Sequence, residues 1–187
     1  MGNCKTLTSG ICRGCRDGRG GLVSIWFANA CEVDWSTLTT GTDGEITELT
    51  LINSANWHYF KPNKGTGNAK EDATISAENG TTYYKQAITA SYSVNSQDMR
   101  NTFDELSKSD LIAICKDANG RMWLYGSEDN PLVADGGGSD TGTASGDLNG
   151  WKSSHSAEVN SPANEVLPSA NSGLAAALAT AKAACGC

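Results

Sequence analysis

Apolar and polar positions alternate along several stretches of the chain, and those stretches are separated by glycine-rich turns. Gly21 to Ala28 is a short apolar run with β-branched and aromatic residues, which predicts a strand. Residues 36–44 are Thr- and Gly-rich and read as a polar turn region. Glu45 to Leu51 alternates with the period of a half-buried strand. Trp57 to Phe60 reads as a further strand stopped at Pro62, and Lys64 to Asn68 as a Gly-rich loop. Asp72 to Ala77 and Thr81 to Val94 flank Glu78-Asn79-Gly80, and Asn-Gly supplies the positive φ that a tight hairpin turn requires. In the second arm Tyr84, Gln86, Ile88, Ala90, Tyr92 and Val94 share one face, so this is a long strand with one apolar side.

A helix interrupts the strands near 97–108. Ser96 is placed to cap it and Asp98 to complement its dipole, while Met99, Phe103 and Leu106 recur on one face. Leu111 to Lys116 predicts a buried strand, Asp117 to Gly120 a turn, and Arg121 to Gly126 the return strand. Residues 127–150, with Gly136-Gly137-Gly138, read as a long loop, and Trp151 to Val159 as a last strand. Pro162 and Pro168 mark a tail. In that tail Leu174 to Ala184 has strong helix propensity but little apolar bulk to anchor it. The expected organisation is an N-terminal arm over 1–20, a β-sandwich domain over 21–160, and a C-terminal tail over 161–187 that can be helical at 174–184. The fold class is mainly β, or β-dominated α+β: a sandwich or open barrel of about seven to nine strands with one medial helix.

Composition sharpens this picture. The chain has 187 residues, 21 glycines and only 4 prolines, and charged side chains are sparse at 19%. That speaks against coiled coils and for a turn-rich body. No apolar run approaches the ~20 residues of a membrane span. Met1 to Lys5 has no apolar core, so no signal peptide is expected. The net charge is −7, unevenly spread. Residues 1–20 carry Lys5, Arg13, Arg16 and Arg19 against Asp17, whereas the remainder holds twice as many acidic as basic side chains. An acidic body does not grip duplex phosphate, because binding needs cations that displace counterions. The basic head, with Arg13, Arg16 and Arg19, suits docking on an acidic neighbour and reads equally as a solvated terminal arm.

Seven cysteines stand at 4, 12, 15, 31, 115, 185 and 187. Cys31 and Cys115 lie beside apolar stretches and read as small buried hydrophobes. Cys12 and Cys15 form a C-x-x-C and Cys185 and Cys187 a C-x-C, a weak candidate set for zinc. Free thiols are the default, with a disulfide as the alternative to zinc; no cofactor is expected. Catalytic patterns are missing: the chain has neither a Walker loop nor a G-x-S-x-G elbow. Asp135 to Asp140 does not have the calcium-loop spacing, and the carboxylate pairs Glu71-Asp72 and Glu128-Asp129 fall in loops. His58 reads as a packed or half-exposed strand histidine and His155 as a surface residue. No enzymatic activity is expected.

Five segments together resemble a family of virion structural proteins of crAss-like and related tailed bacteriophages that infect Bacteroides-type bacteria. They are Ser9 to Ile25, with Gly14-Cys15-Arg16-Asp17 followed by Gly20-Gly21; Thr42 to Thr47; Asn79 to Tyr84; Asp117 to Gly126; and Thr141 to Trp151. The resemblance implies a tail-ring or tail-tube building block made in the host bacterial cytoplasm and placed in the virion tail. Its expected partners are copies of itself in a ring and adjacent tail or portal proteins. Double-stranded DNA would transit the lumen without specific binding, and no membrane is involved. Asn79, Gly80, Gly137, Asp140 and Asp147 are the candidate contacts between copies, on the Gly80 hairpin and the 127–150 loop. Another virion β-module, such as a head-decoration or adhesin-like host-binding protein, is the alternative.

Overall fold

The computed structural model describes Gly10, residues 18–169 and residues 172–185. The described chain forms eleven strands and two α-helices. The strands are β1 (Leu22–Asn29), β2 (Val33–Thr40), β3 (Ile46–Leu51), β4 (His58–Phe60), β5 (Asn68–Ser76) and β6 (Thr81–Tyr92). They continue with β7 (Leu111–Asp117), β8 (Met122–Tyr125), β9 (Val133–Asp140), β10 (Gly150–Val159) and β11 (Asn164–Glu165). The helices are α1 (Gln97–Lys108) and α2 (Gly173–Ala184). A central sheet runs β11-β8-β7-β1-β4, an outer sheet runs β5-β6-β10-β9, and β2 and β3 form a separate hairpin. All the strand pairings within these sheets are antiparallel. The protein is therefore mainly β with a minority of helix.

The central sheet is covered on both faces, which explains why β1 and β7 are apolar almost without interruption. On one face Leu22, Ile25 and Phe27 of β1 and Leu111, Ala113 and Cys115 of β7 meet the outer sheet. A register shift between Leu22 and Ser24 brings Leu22 and Ile25 to the same side despite their odd spacing. Ile88, Ala90 and Tyr92 of β6 and Ala157 and Val159 of β10 complete this first core, with Phe103 and Leu106 of α1. On the other face Trp26, Ala28, Ile112, Ile114 and Leu124 form a second core beneath Val33, Ile46, Leu49, Val166, Leu174 and Leu178.

α1 follows its sequence signals. The Ser96 hydroxyl accepts from the Met99 amide at 3.3 Å, Asp98 lies in the first turn and Lys108 in the last. Phe103 stacks on Trp151 of β10, with ring centroids 4.8 Å apart and planes 7° from parallel.

Several expectations need correction. The described residues hold eleven strands and a second helix where about seven to nine strands and one medial helix are expected, and the carboxylates Glu71 and Asp72 lie on β5 and not in a loop. Residues 36–44 are not only turn: β2 runs to Thr40, with Thr39 and Thr40 exposed and Thr37 bonded to Thr50 of β3. Residues 127–150 are not one loop. Val133–Asp140 is a strand laid along β10, because the ladder with β10 satisfies backbone groups that glycine's weak strand propensity leaves uncommitted. Finally, 161–187 is not an unanchored tail. Val166 and Leu174 are fully buried and Leu178 nearly so, α2 being held on the second core. Glu48 of β3 accepts from the Gly173 and Leu174 amides at 2.9 and 2.7 Å, placing a carboxylate at the positive end of α2. The Ser172 hydroxyl caps the Ala175 amide, and the indole N–H of Trp26 donates to the Leu178 carbonyl at 3.1 Å.

Candidate functional site

The outer sheet places the predicted contacts. Asn79 and Gly80 form the tip of the β5–β6 hairpin, both exposed, with Gly80 at φ 64° as the turn requires. Gly137 and Asp140 lie on β9, which pairs with β10 alone among the described strands. The contacts therefore divide between two places, the far end of the β5–β6 pair and the opposite edge strand of the same sheet. Asp140 accepts from the Gly142 amide at 2.9 Å. Asp147 accepts from the Ala144 and Thr143 amides at 2.7 and 2.9 Å, and these bonds hold its carboxyl below the usual carboxylate range. Both carboxylates thus shape the turn that joins β9 to β10.

The basic head is only partly described. Arg19 is pinned to the β7–β8 turn, its amide donating to Asn119 Oδ1 at 2.9 Å and its Nε to the Ala118 carbonyl at 3.0 Å. Arg13 and Arg16 lie outside the described residues. So do Cys12, Cys15 and Cys187 of the candidate zinc set; Cys185 sits exposed at the end of α2. Among the described residues no group of three His, Cys, Asp or Glu side chains is arranged to hold a metal ion. Cys115 is buried as expected, and burial pushes its thiol well up. Cys31 is exposed, a correction with a simple cause: it lies in the single 3₁₀ turn Ala30–Glu32 that links β1 to β2 at the surface.

The outward face of the outer sheet is mostly small and polar and close to neutral, with Tyr83 of β6 and the exposed Val133 of β9 as its large uncharged side chains. In register across the strands, Asp72 of β5 faces Lys85 of β6, which faces Glu158 of β10. Lys70 pairs with Asp72, and Lys152 is the remaining cation. Between these charges stand Ala87, Thr89, Ser91, Ser154, Ser156, Gly136 and Gly138. Asp135 falls at the register shift of the β9–β10 ladder, where hydrogen bonds from Ser154 and Ser156 keep its carboxyl low. The four acidic residues Glu45, Glu48, Asp72 and Glu78 do not share a face. Glu45 closes the β2–β3 turn, Glu48 caps α2, Asp72 lies on the sheet and Glu78 at the hairpin tip.

One residue that sequence reasoning assigned to the surface is buried. His155 is 2% exposed, on the inward side of β10 with Trp151, Ala157 and Val159. Its ring lies 5.3 Å from that of Phe27, and neither ring nitrogen has a hydrogen-bond partner among the described residues. Gln86, equally buried, is by contrast fully employed: it donates to Glu71 at 3.0 Å and accepts from the Gly126 amide at 2.8 Å. Burial pulls the His155 imidazole below its ordinary value of 6.5. The Leu106 carbonyl and the Asp135 carboxylate oppose that shift electrostatically without making a bond. The signal was in the alternation of β10, which puts position 155 on the apolar side.

A pH dependence follows with a definite sign. Below pH 6.5 the unfolded chain binds a proton at His155 that the folded chain resists, so stability falls as the pH drops through that value. Melting temperature measured between pH 8 and 5 should decline for the wild type. In His155→Leu the decline over that window should be smaller, and the variant should be more stable by about 1–3 kcal/mol at pH 5.5, having no unpaired polar ring to bury. Depressed carboxylates such as Asp135 act at lower pH and do not mimic this window. Equal slopes for the two proteins would refute the assignment.

Comparison of the chain with family models, curated proteins and solved structures gives no match.

Proposed function

We propose that this protein is a structural subunit of a bacteriophage tail that joins copies of itself into a ring or tube section through which DNA passes. The observation that carries this reading is the outer sheet's pair of open edges. β5, of nine residues, and β9, of eight, each have a partner on one side only among the described strands. Strand direction alternates across β5, β6, β10 and β9, so the β5 of a second copy set beside β9 continues the antiparallel order. An open edge of this length is a hazard in a solitary protein and an asset in one that polymerises. Joining unlike edges is a heterologous contact, and a heterologous contact that closes on rotation gives a ring.

The chemistry of the outer sheet suits a lumen wall. Small hydroxyl, alanine and glycine residues with balanced charges offer no cationic stripe to hold phosphate, so DNA slides by. The resemblance of Ser9 to Ile25 and the four other segments to tail proteins agrees with that role.

Negative-stain microscopy of the purified protein over a range of concentrations is the direct test. Rings or tubes with a central hole, and no retardation of duplex DNA at moderate salt, are expected. A protein that stays monomeric at every concentration refutes the reading. Compact trimers that bind bacterial surfaces would replace it with a head-decoration or adhesin-like module.

A further inference from the structure

The inward side of β5 carries Ala69, Glu71, Ala73 and Ile75 in strict alternation. Ala69 packs on the first core and Glu71 bonds to Gln86 and to the Ala163 amide. Further out the hairpin overhangs the body and the pattern runs on without cover. Ile75 is 71% exposed, the most exposed large apolar residue of the described chain. An isoleucine on the core side of a sheet, with no core beneath it, is an apolar knob in search of a socket.

A socket of matching character exists elsewhere on the molecule. An apolar groove of about 820 Å³ opens beside β4, the free edge of the central sheet, between α1 and α2. Trp57, Tyr59, Phe60, Val94, Met99 and Ala181 line it. Val94 is 47% exposed, and the buried indole N–H of Trp57 has no acceptor among the described residues. Lys61 and His58, both exposed, lie at its rim, and Glu78 stands three residues beyond Ile75 at the hairpin tip. Knob and socket are thus alike in polarity and opposite in sign of charge.

They cannot meet within one chain. Ile75 pairs with Thr82 near the start of β6, and the groove begins at Tyr92, where β6 ends. Ten residues of strand separate the two by roughly 33 Å. We infer that the β5–β6 hairpin tip of one copy docks in the β4 groove of a second copy, Ile75 entering the aromatic socket and Glu78 facing Lys61. The contact is head to tail along β6, because knob and socket lie at opposite ends of one strand. This inference rests on the self-assembly reading above and assigns the groove its occupant.

A photocrosslinker answers it. With benzoylphenylalanine at position 75, irradiation of assembled protein should give covalent dimers whose linked peptides contain residues 56–61 or 92–102 of another copy. Ile75→Asp and Val94→Asp, both at exposed positions, should each raise the concentration needed for assembly about tenfold or more. Circular dichroism should be unchanged in both. Glu78→Lys should weaken assembly, and Lys61→Glu added to it should restore it. If rings form but the crosslinks fall within residues 1–17 or elsewhere, and Ile75→Asp assembles normally, the docking is wrong while the ring reading stands. If no assembly forms under any condition, both fall together.

Discussion

Replacing Leu174 with alanine should lower the unfolding free energy by about 2–5 kcal/mol, the range for truncating a fully buried leucine. Leu174 has no exposed surface and lies on the buried face of α2, in the second core with Ile46, Leu49 and Val166. α2 is otherwise built largely of alanine, so Leu174 and Leu178 provide most of its apolar grip. Capping by Ser172 and Glu48 orients the helix but supplies only about 1 kcal/mol for each such contact. Urea unfolding followed by circular dichroism measures the effect. A loss under about 1 kcal/mol would mean that α2 is dispensable cover and that the second core closes without it.

Gly150→Val should be at least as damaging, costing about 3 kcal/mol or more or preventing folding outright. A Cβ at position 150 would stand 1.9 Å from the Tyr92 carbonyl oxygen and 3.0 Å from the Ser93 Cα. Both are backbone atoms at the end of β6, so relief requires parting β6 from β10 where Trp151 stacks on Phe103. Gly138→Ala is the matched control. It lies on the neighbouring strand β9 with no atom within 4 Å of the added methyl, and it should be neutral or slightly stabilising. Soluble expression and thermal melts of the two variants separate the cases. Similar melting temperatures would show that the β6–β10 junction yields more readily than its geometry implies.

Much of the fold was legible where local chemistry and global packing agree. Ser96, Met99, Phe103 and Leu106 gave α1 its start and its buried face, and Asn79-Gly80 gave the hairpin. The alternation from Tyr84 to Tyr92 gave the inward side of β6. The failures have equally local causes. Gly136-Gly137-Gly138 carries no side-chain signal for a strand, and only pairing with β10 makes it one. Leu174 and Leu178, four apart, did mark a helix face, but an alanine background hid how deeply that face is buried. The proposed contact residues were legible only as turn chemistry. Sequence placed Asn79 and Gly80 at a tip, while the open edge of β9 appears only once the strand order is known. The apolar groove beside β4 draws on residues from 56 to 185, far apart in sequence, which no local pattern unites.

Most of the central sheet is covered on both faces, and that constrains how such a protein can diverge. A change at Ile25, Ile112 or Ile114 disturbs packing on whichever side it points, so β1 and β7 have almost no neutral positions. Novelty is then confined to the outward rows of β6 and β10, the hairpin tip and the β9–β10 turn. A lineage of such proteins would keep its inner scaffold nearly fixed while its exposed surfaces drift.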